Sequence, residues 1–187
     1  MVLHNDKVGE AGHPFGFDHD LIAYAGFAIM VLSSRFKQRS TYILVETLGI
    51  VIVAVYWLLL VQFEAALDDL FYIVLNLSAI WVLRNARLQK LYYVNYPLLL
   101  GASLYLFDAW PDALAVAGTA VSIVAKEQTD MLKMRVYVAV SSALWGLFGL
   151  ATMAIPQIAV SLAMVLAHLY QVFLLTRARA ASTRGLR

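Results

Sequence analysis

The chain has no cysteine, few charges and few prolines. With no Cys, disulfide, thiol-redox and Cys-metal chemistry are excluded. Only 14% of residues are charged, against about a quarter in a soluble domain. Proline occurs 4 times in 187 residues. Pro111 and Pro156 mark tight turns, and Pro97 falls inside an apolar stretch that it should kink. No HExxH motif, Gly-rich phosphate loop or nucleophile–base constellation is present, so the chain does not read as an enzyme and no cofactor is expected. The last apolar stretch lacks a Lys for a retinal Schiff base. Residues 1–20 lack a basic segment followed by an apolar run, so the first apolar stretch is expected to serve as the insertion signal.

What the chain does have is apolar sequence. Hydrophobic residues make up 62% of it, and mean hydropathy is +0.75. Seven stretches follow one another: Asp20–Ser34, Thr41–Val61, Ala66–Leu83, Leu91–Ala109, Asp112–Lys126, Lys133–Met153 and Pro156–Thr176. Each is expected to be a helix, because a strand alone in lipid leaves its backbone polar groups unpaired. The intervening loops alternate in charge. Arg35, Lys37 and Arg39, then Arg84, Arg87 and Lys90, then Lys126, Lys133 and Arg135, then Arg177, Arg179, Arg184 and Arg187 fall on one side, leaving only Lys7 of the 14 basic residues elsewhere. Basic loops stay cytoplasmic during insertion, which predicts an outside N-terminus, a cytoplasmic C-terminus and a multi-pass protein of a bacterial plasma membrane. Nine of the 12 acids fall on or near the other face, so the basic face reads as topology signal and lipid contact, and nucleic acid is not an expected partner.

A shift of 92 residues lays the start of the first stretch on the start of the fifth. Asp20-Leu-Ile-Ala-Tyr-Ala-Gly-Phe-Ala meets Asp112-Ala-Leu-Ala-Val-Ala-Gly-Thr-Ala, and Leu83-Arg-Asn-Ala-Arg87 meets Leu175-Thr-Arg-Ala-Arg179. Trp57 meets Trp145 at a shift of 88, which keeps nearly the same helix face, about 40° away. The expected architecture is all-α and 3+1+3. It comprises an extracytoplasmic tail (1–19), a three-helix unit (20–90), a linker helix (91–109), a second three-helix unit (110–179) and a cytoplasmic tail (180–187). The extra helix lets two odd-numbered units point the same way.

This layout resembles the SWEET and PQ-loop transporter superfamily and the related PnuC-type vitamin transporters. At sequence level the chain is similar to the YgjV-type family of bacterial inner-membrane proteins. The runs that carry the likeness are Val55-Tyr-Trp-Leu-Leu-Leu and Met134-Arg-Val-Tyr-Val-Ala-Val-Ser-Ser-Ala-Leu-Trp-Gly-Leu-Phe-Gly149. The resemblance implies a midplane site between the units, where Asn76 faces His168 and Trp57 and Trp145 stack on a solute. It also implies self-association. The chain departs from the carrier pattern in lacking Pro hinges inside the first, second, fifth and sixth helices.

Asn76 lies about ten residues, or about 15 Å, into its stretch, and His168 is placed similarly. Such groups face a cavity or one another, so the alternatives are a polar clamp for a solute and a plain Asn–His bond between helices. Tyr72 is one turn before Asn76, and Gln171 is on the His168 face. Glu46 is the one carboxylate well inside a stretch. It reads either as a proton-coupling group or as a carboxylate paired with Arg39 or Arg135. Ser122 and Ser141 suit close helix packing. Asp68 and Asp69 suit a helix N-terminus. The tail cluster Phe17-Asp18-His19-Asp20, with His4, His13 and Asp6, matches no metal-ligand spacing. The functional expectation is facilitated diffusion of a small polar solute (a sugar, nucleoside or vitamin). The alternative is a non-transporting scaffold of the same fold.

Overall fold

The computed structural model describes residues 19–184 apart from 60, 62, 82–84, 86 and 108. Most of the tail cluster, Lys7, Arg84 and Asp108 lie outside the described residues. Seven helices and one helical turn follow in order: α1 His19–Ser33, α2 Arg39–Leu59, α3 Phe63–Trp81, α4 Gln89–Tyr92, α5 Asn95–Leu106, α6 Asp112–Glu127, α7 Met131–Ala151 and α8 Ile155–Arg184. No strand occurs among the described residues. Helix α1 packs on α2 and α2 on α3, while α6 packs on α7 and α7 on α8. The two ends of the chain meet where α1 touches α8 and α3 touches α6, and α5 lies against α6.

Polarity is arranged inside out. On α2 the buried face carries Tyr42, Glu46, Thr47, Gly49, Ile50 and Val53, while Leu44, Leu48, Val51, Val55 and Leu58 are exposed. Glu46, Asn76, Lys126, Arg135, Ser141 and His168 are all buried. Water would favour the opposite arrangement, so the solvent around these helices is apolar. By length and composition α2, α7 and Gln157–Ala181 of α8 can each cross a membrane, and Leu21–Ser33 is a shorter apolar helix.

The fourth apolar stretch differs from its expectation as one kinked helix. It is split into α4 and the 12-residue α5, with Tyr93 and Val94 as a turn between them. Pro97 has no amide hydrogen to bond the carbonyl of Tyr93, and its ring disfavours helix in the residue before it. The break therefore falls just upstream, and Pro97 sits in the first turn of α5, where a donor is not needed. Twelve residues span about 18 Å, well short of a bilayer core of about 30 Å.

Helix α8 is longer than expected. It continues past Thr176 to Arg184, so the proposed 180–187 tail begins as helix. Its 30 residues reach about 45 Å, and the final turns must project beyond the apolar layer. There Arg179 pairs with Asp130 at 2.7 Å. Asp130 also caps α7 by accepting from the Leu132 amide at 2.8 Å. Arg179, helped by that amide, holds the Asp130 carboxyl below the usual carboxylate range.

Two glycines set the α1–α2 distance. A Cβ on Gly26 would stand 2.8 Å from the Gly49 carbonyl oxygen, and one on Gly49 would stand 2.7 Å from the Gly26 carbonyl oxygen. Backbone meets backbone here, the small-residue packing that membrane helices use.

Candidate functional site

The site starts at Tyr42 and Glu46, one turn apart on the buried face of α2. The Tyr42 hydroxyl donates to Glu46 Oε1 at 2.6 Å. Glu46 Oε2 accepts from Asn76 Nδ2 of α3 at 3.3 Å and is ion-paired with Lys126 Nζ at the end of α6. Both carboxylate oxygens are thus occupied, and the pair joins the two ends of the chain. The Arg39 guanidinium donates to the Lys126 carbonyl. The expected partners of Glu46 were Arg39 or Arg135, and the structure gives it Lys126 instead. In the sequence Lys126 reads only as a loop charge. Its long stem lets the ammonium turn inward from the helix end, a freedom that spacing along the chain does not reveal.

Arg135 lies in the second turn of α7 and is 1% exposed. It donates to the Phe36 carbonyl at 2.6 Å and lies 3.2 Å from His168 Nδ1. Its guanidinium sits 4.1 Å from the centroid of the Tyr42 ring, and the Lys126 ammonium sits 4.8 Å from it. Tyr42 also meets the His168 ring edge-on at 5.7 Å. A guanidinium can only donate, so His168 Nδ1 accepts and its proton is assigned to Nε2. That Nε2, Arg135 Nε and Asn76 Oδ1 are buried without a hydrogen-bond partner.

The cluster therefore draws Tyr42 and Glu46 from α2, Asn76 from α3, Lys126 from α6, Arg135 from α7 and His168 from α8. Asn76 and His168 are both fully buried but do not bond one another. The Glu46 carboxylate and the Tyr42 ring stand between them. Asn76 is five residues before Trp81, the last described residue of α3, about 7 Å along the axis.

A second, uncharged group lies nearer mid-helix. Trp145 Nε1 donates to the Tyr72 hydroxyl at 2.8 Å, which lies 3.0 Å from Thr119 Oγ1. A Cβ on Gly118 would stand 2.9 Å from Trp145 Cδ1, so the indole rests on α6. Ser122 and Ser141 bond each other at 2.7 Å, and Ser141 donates to the Gly118 carbonyl, tying α6 to α7. Trp57 is elsewhere, against Tyr56 with centroids 4.8 Å apart. The two Trp thus have different aromatic neighbours, Tyr56 for Trp57 and Tyr72 for Trp145. Trp57 lies near the end of α2, and both Trp are half-buried. Gln171 is half-buried on α8, and Tyr170 is exposed, as suits an interface residue.

An open groove of about 450 Å³ lies between α1 and α8, lined by Phe27, Ala28, Val31, Ala159, Val160 and Ala163 among others. It is wholly apolar and holds none of the polar residues just described.

The missed members of the cluster were Tyr42 and Lys126. A signal existed for Tyr42, a hydroxyl one turn before the lone membrane carboxylate. No curated protein and no solved structure matches the chain. The family model of Imp-YgjV, a bacterial inner membrane protein, matches residues 19–179, and the chain therefore belongs to the Imp-YgjV family of bacterial inner membrane proteins.

Proposed function

We propose that this inner-membrane protein is a carrier-like protein that passes a small polar solute by facilitated diffusion. The solute would meet the Tyr42–Glu46–Asn76–Lys126–Arg135–His168 cluster, with Tyr72 and Trp145 on its path. One observation carries the reading: charged and hydrogen-bonding groups from both ends of the chain converge inside an apolar-surfaced bundle. Ionisable groups are costly there and commonly mark a substrate or ion path. The packing of α1–α3 at one end and α6–α8 at the other supports the SWEET-like 3+1+3 arrangement of two parallel units, with α4 and α5 as the linker.

The test is uptake into liposomes of purified protein, screened with sugars, nucleosides and vitamins. Asn76→Ala and His168→Ala should each slow uptake about tenfold or more, since losing one hydrogen bond to a charged partner costs about 1.5–3 kcal/mol. Tyr170→Ala, at an exposed residue, should leave it unchanged. Unaltered uptake in both of the first two variants would remove the site.

A second reading has its own support. The Lys126–Glu46 pair and the Arg135–Phe36 bond clamp the two ends of the chain together, as suits a rigid scaffold. The absence of Pro hinges points the same way. No uptake of any screened solute is its outcome.

The carrier reading includes a direction, with basic ends in the cytoplasm. Because the chain is Cys-free, single introduced cysteines report it directly. Met153→Cys, at an exposed turn, should react with an impermeant maleimide on intact spheroplasts. Lys37→Cys should react only after permeabilisation. The reverse pattern inverts the topology.

A further inference from the structure

The buried cluster carries more positive than negative charge. Lys126 and Arg135 are 2% and 1% exposed, and the half-buried Arg39 stands beside them. Glu46 is the carboxylate whose charge reaches Arg135 and Lys126, and it is committed to Lys126, Tyr42 and Asn76. The direct contacts of Arg135 are all neutral: the Phe36 carbonyl, the His168 imidazole and the Tyr42 ring. A guanidinium taken out of water is stabilised by a π face only in part. Its planar fork matches an oxyanion far better.

Among the described residues of this neighbourhood, the donors Arg135 Nε and His168 Nε2 and the acceptor Asn76 Oδ1 have no hydrogen-bond partner. Two N–H groups and surplus positive charge favour an anionic oxygen group. A carbonyl acceptor close by favours a ligand that also carries an O–H or N–H.

We propose that Arg135, His168 and Lys126 form a binding site for an oxyanion, the carboxylate or phosphate group of a small solute. This deepens the carrier reading by giving its solute class, and its use in transport rests on that reading. An incoming oxyanion competes with Glu46 for Lys126. Binding therefore loosens the ion pair that ties the two ends of the chain, and it couples occupancy to movement of one unit against the other. The charge surplus also sets a selectivity: a neutral sugar can accept from Arg135 but brings no charge to balance it, and a cation is repelled.

The full chain in zwitterionic nanodiscs is titrated with acetate, lactate and inorganic phosphate at fixed ionic strength, with chloride as the control. Binding is read calorimetrically and by thermal shift. At least one oxyanion should bind saturably where chloride does not. Arg135→Gln should weaken it tenfold or more. Glu46→Gln, which removes the competing carboxylate, should tighten it about tenfold. A merely structural cluster would not move the two variants in opposite directions.

If Arg135→Gln fails to fold, the wild type and Glu46→Gln still decide. A parallel arm in phosphatidylglycerol nanodiscs separates sources. Stabilisation by that lipid alone, lost in Arg135→Gln, assigns the oxyanion to a headgroup. No saturable response to any soluble oxyanion or to the anionic lipid overturns the proposal, as does weaker binding in Glu46→Gln. Binding without uptake leaves the oxyanion site standing and removes the carrier. Uptake of a neutral solute with no oxyanion response does the reverse.

Discussion

Lys126→Met should destabilise the folded chain by about 3–5 kcal/mol, the usual cost of removing one partner from a buried ion pair. The midpoint of a reversible dodecyl sulfate unfolding titration would fall accordingly. The reason is local. Lys126 and Glu46 side chains are 3% and 8% exposed, so the carboxylate left behind has no water to turn to. Its remaining partners, the Tyr42 hydroxyl and the Asn76 amide, are neutral. The double variant Lys126→Met with Glu46→Gln should recover most of the loss, because a neutral amide tolerates the site that a bare carboxylate does not. Equal losses in the single and double variants would show that the charge pair is not what Lys126 contributes. The size of the recovery is the coupling energy of a contact that joins α2 to α6, and so measures how tightly the two ends of the chain are held.

Gly49→Leu should be the most damaging substitution of a non-ionisable residue, costing about 1–3 kcal/mol or more by overpacking. Even the first added carbon would stand 2.5 Å from Met30 Cγ, which can move, and 2.7 Å from the Gly26 carbonyl oxygen, which cannot without parting the helices. Helices α1 and α2 would separate and lose dispersion contacts along their length, and in lipid those contacts are the main attraction. Gly101→Ala is the matched control. Nothing lies within 4 Å of a Cβ there, and the position is mid-helix in α5. Alanine should stabilise it by about 0.5–1 kcal/mol through backbone entropy. The same titration reads both. A Gly49→Leu chain as stable as the parent would mean that α1 and α2 do not cross as closely as described.

The helices were largely legible because their signal is coarse. Long apolar stretches in α2, α7 and α8, bounded by charged loops, need no knowledge of neighbours. The burial of Asn76 and His168 was legible for a similar reason, since a polar group in an apolar stretch turns away from lipid. The fourth stretch was not, because composition cannot tell one kinked helix from two short pieces. Pro97 acts on the residues before it, and neighbours decide whether the helix bends or breaks. The neighbours of Trp57 and Trp145, Tyr56 and Tyr72, were not legible either, because similar positions in two repeats need not face the same surroundings.

The sequence by itself determined that this chain is helical, lives in lipid and hides its few polar side chains, since those outcomes depend on composition along one dimension. Only the tertiary structure decided that Glu46 takes Lys126, that Arg135 is left with neutral partners, and that Tyr42 joins them. The physical reason is that an apolar helix has little amphipathic asymmetry to announce which face turns inward. That choice rests on the joint packing of five helices and on where a few long charged side chains can reach.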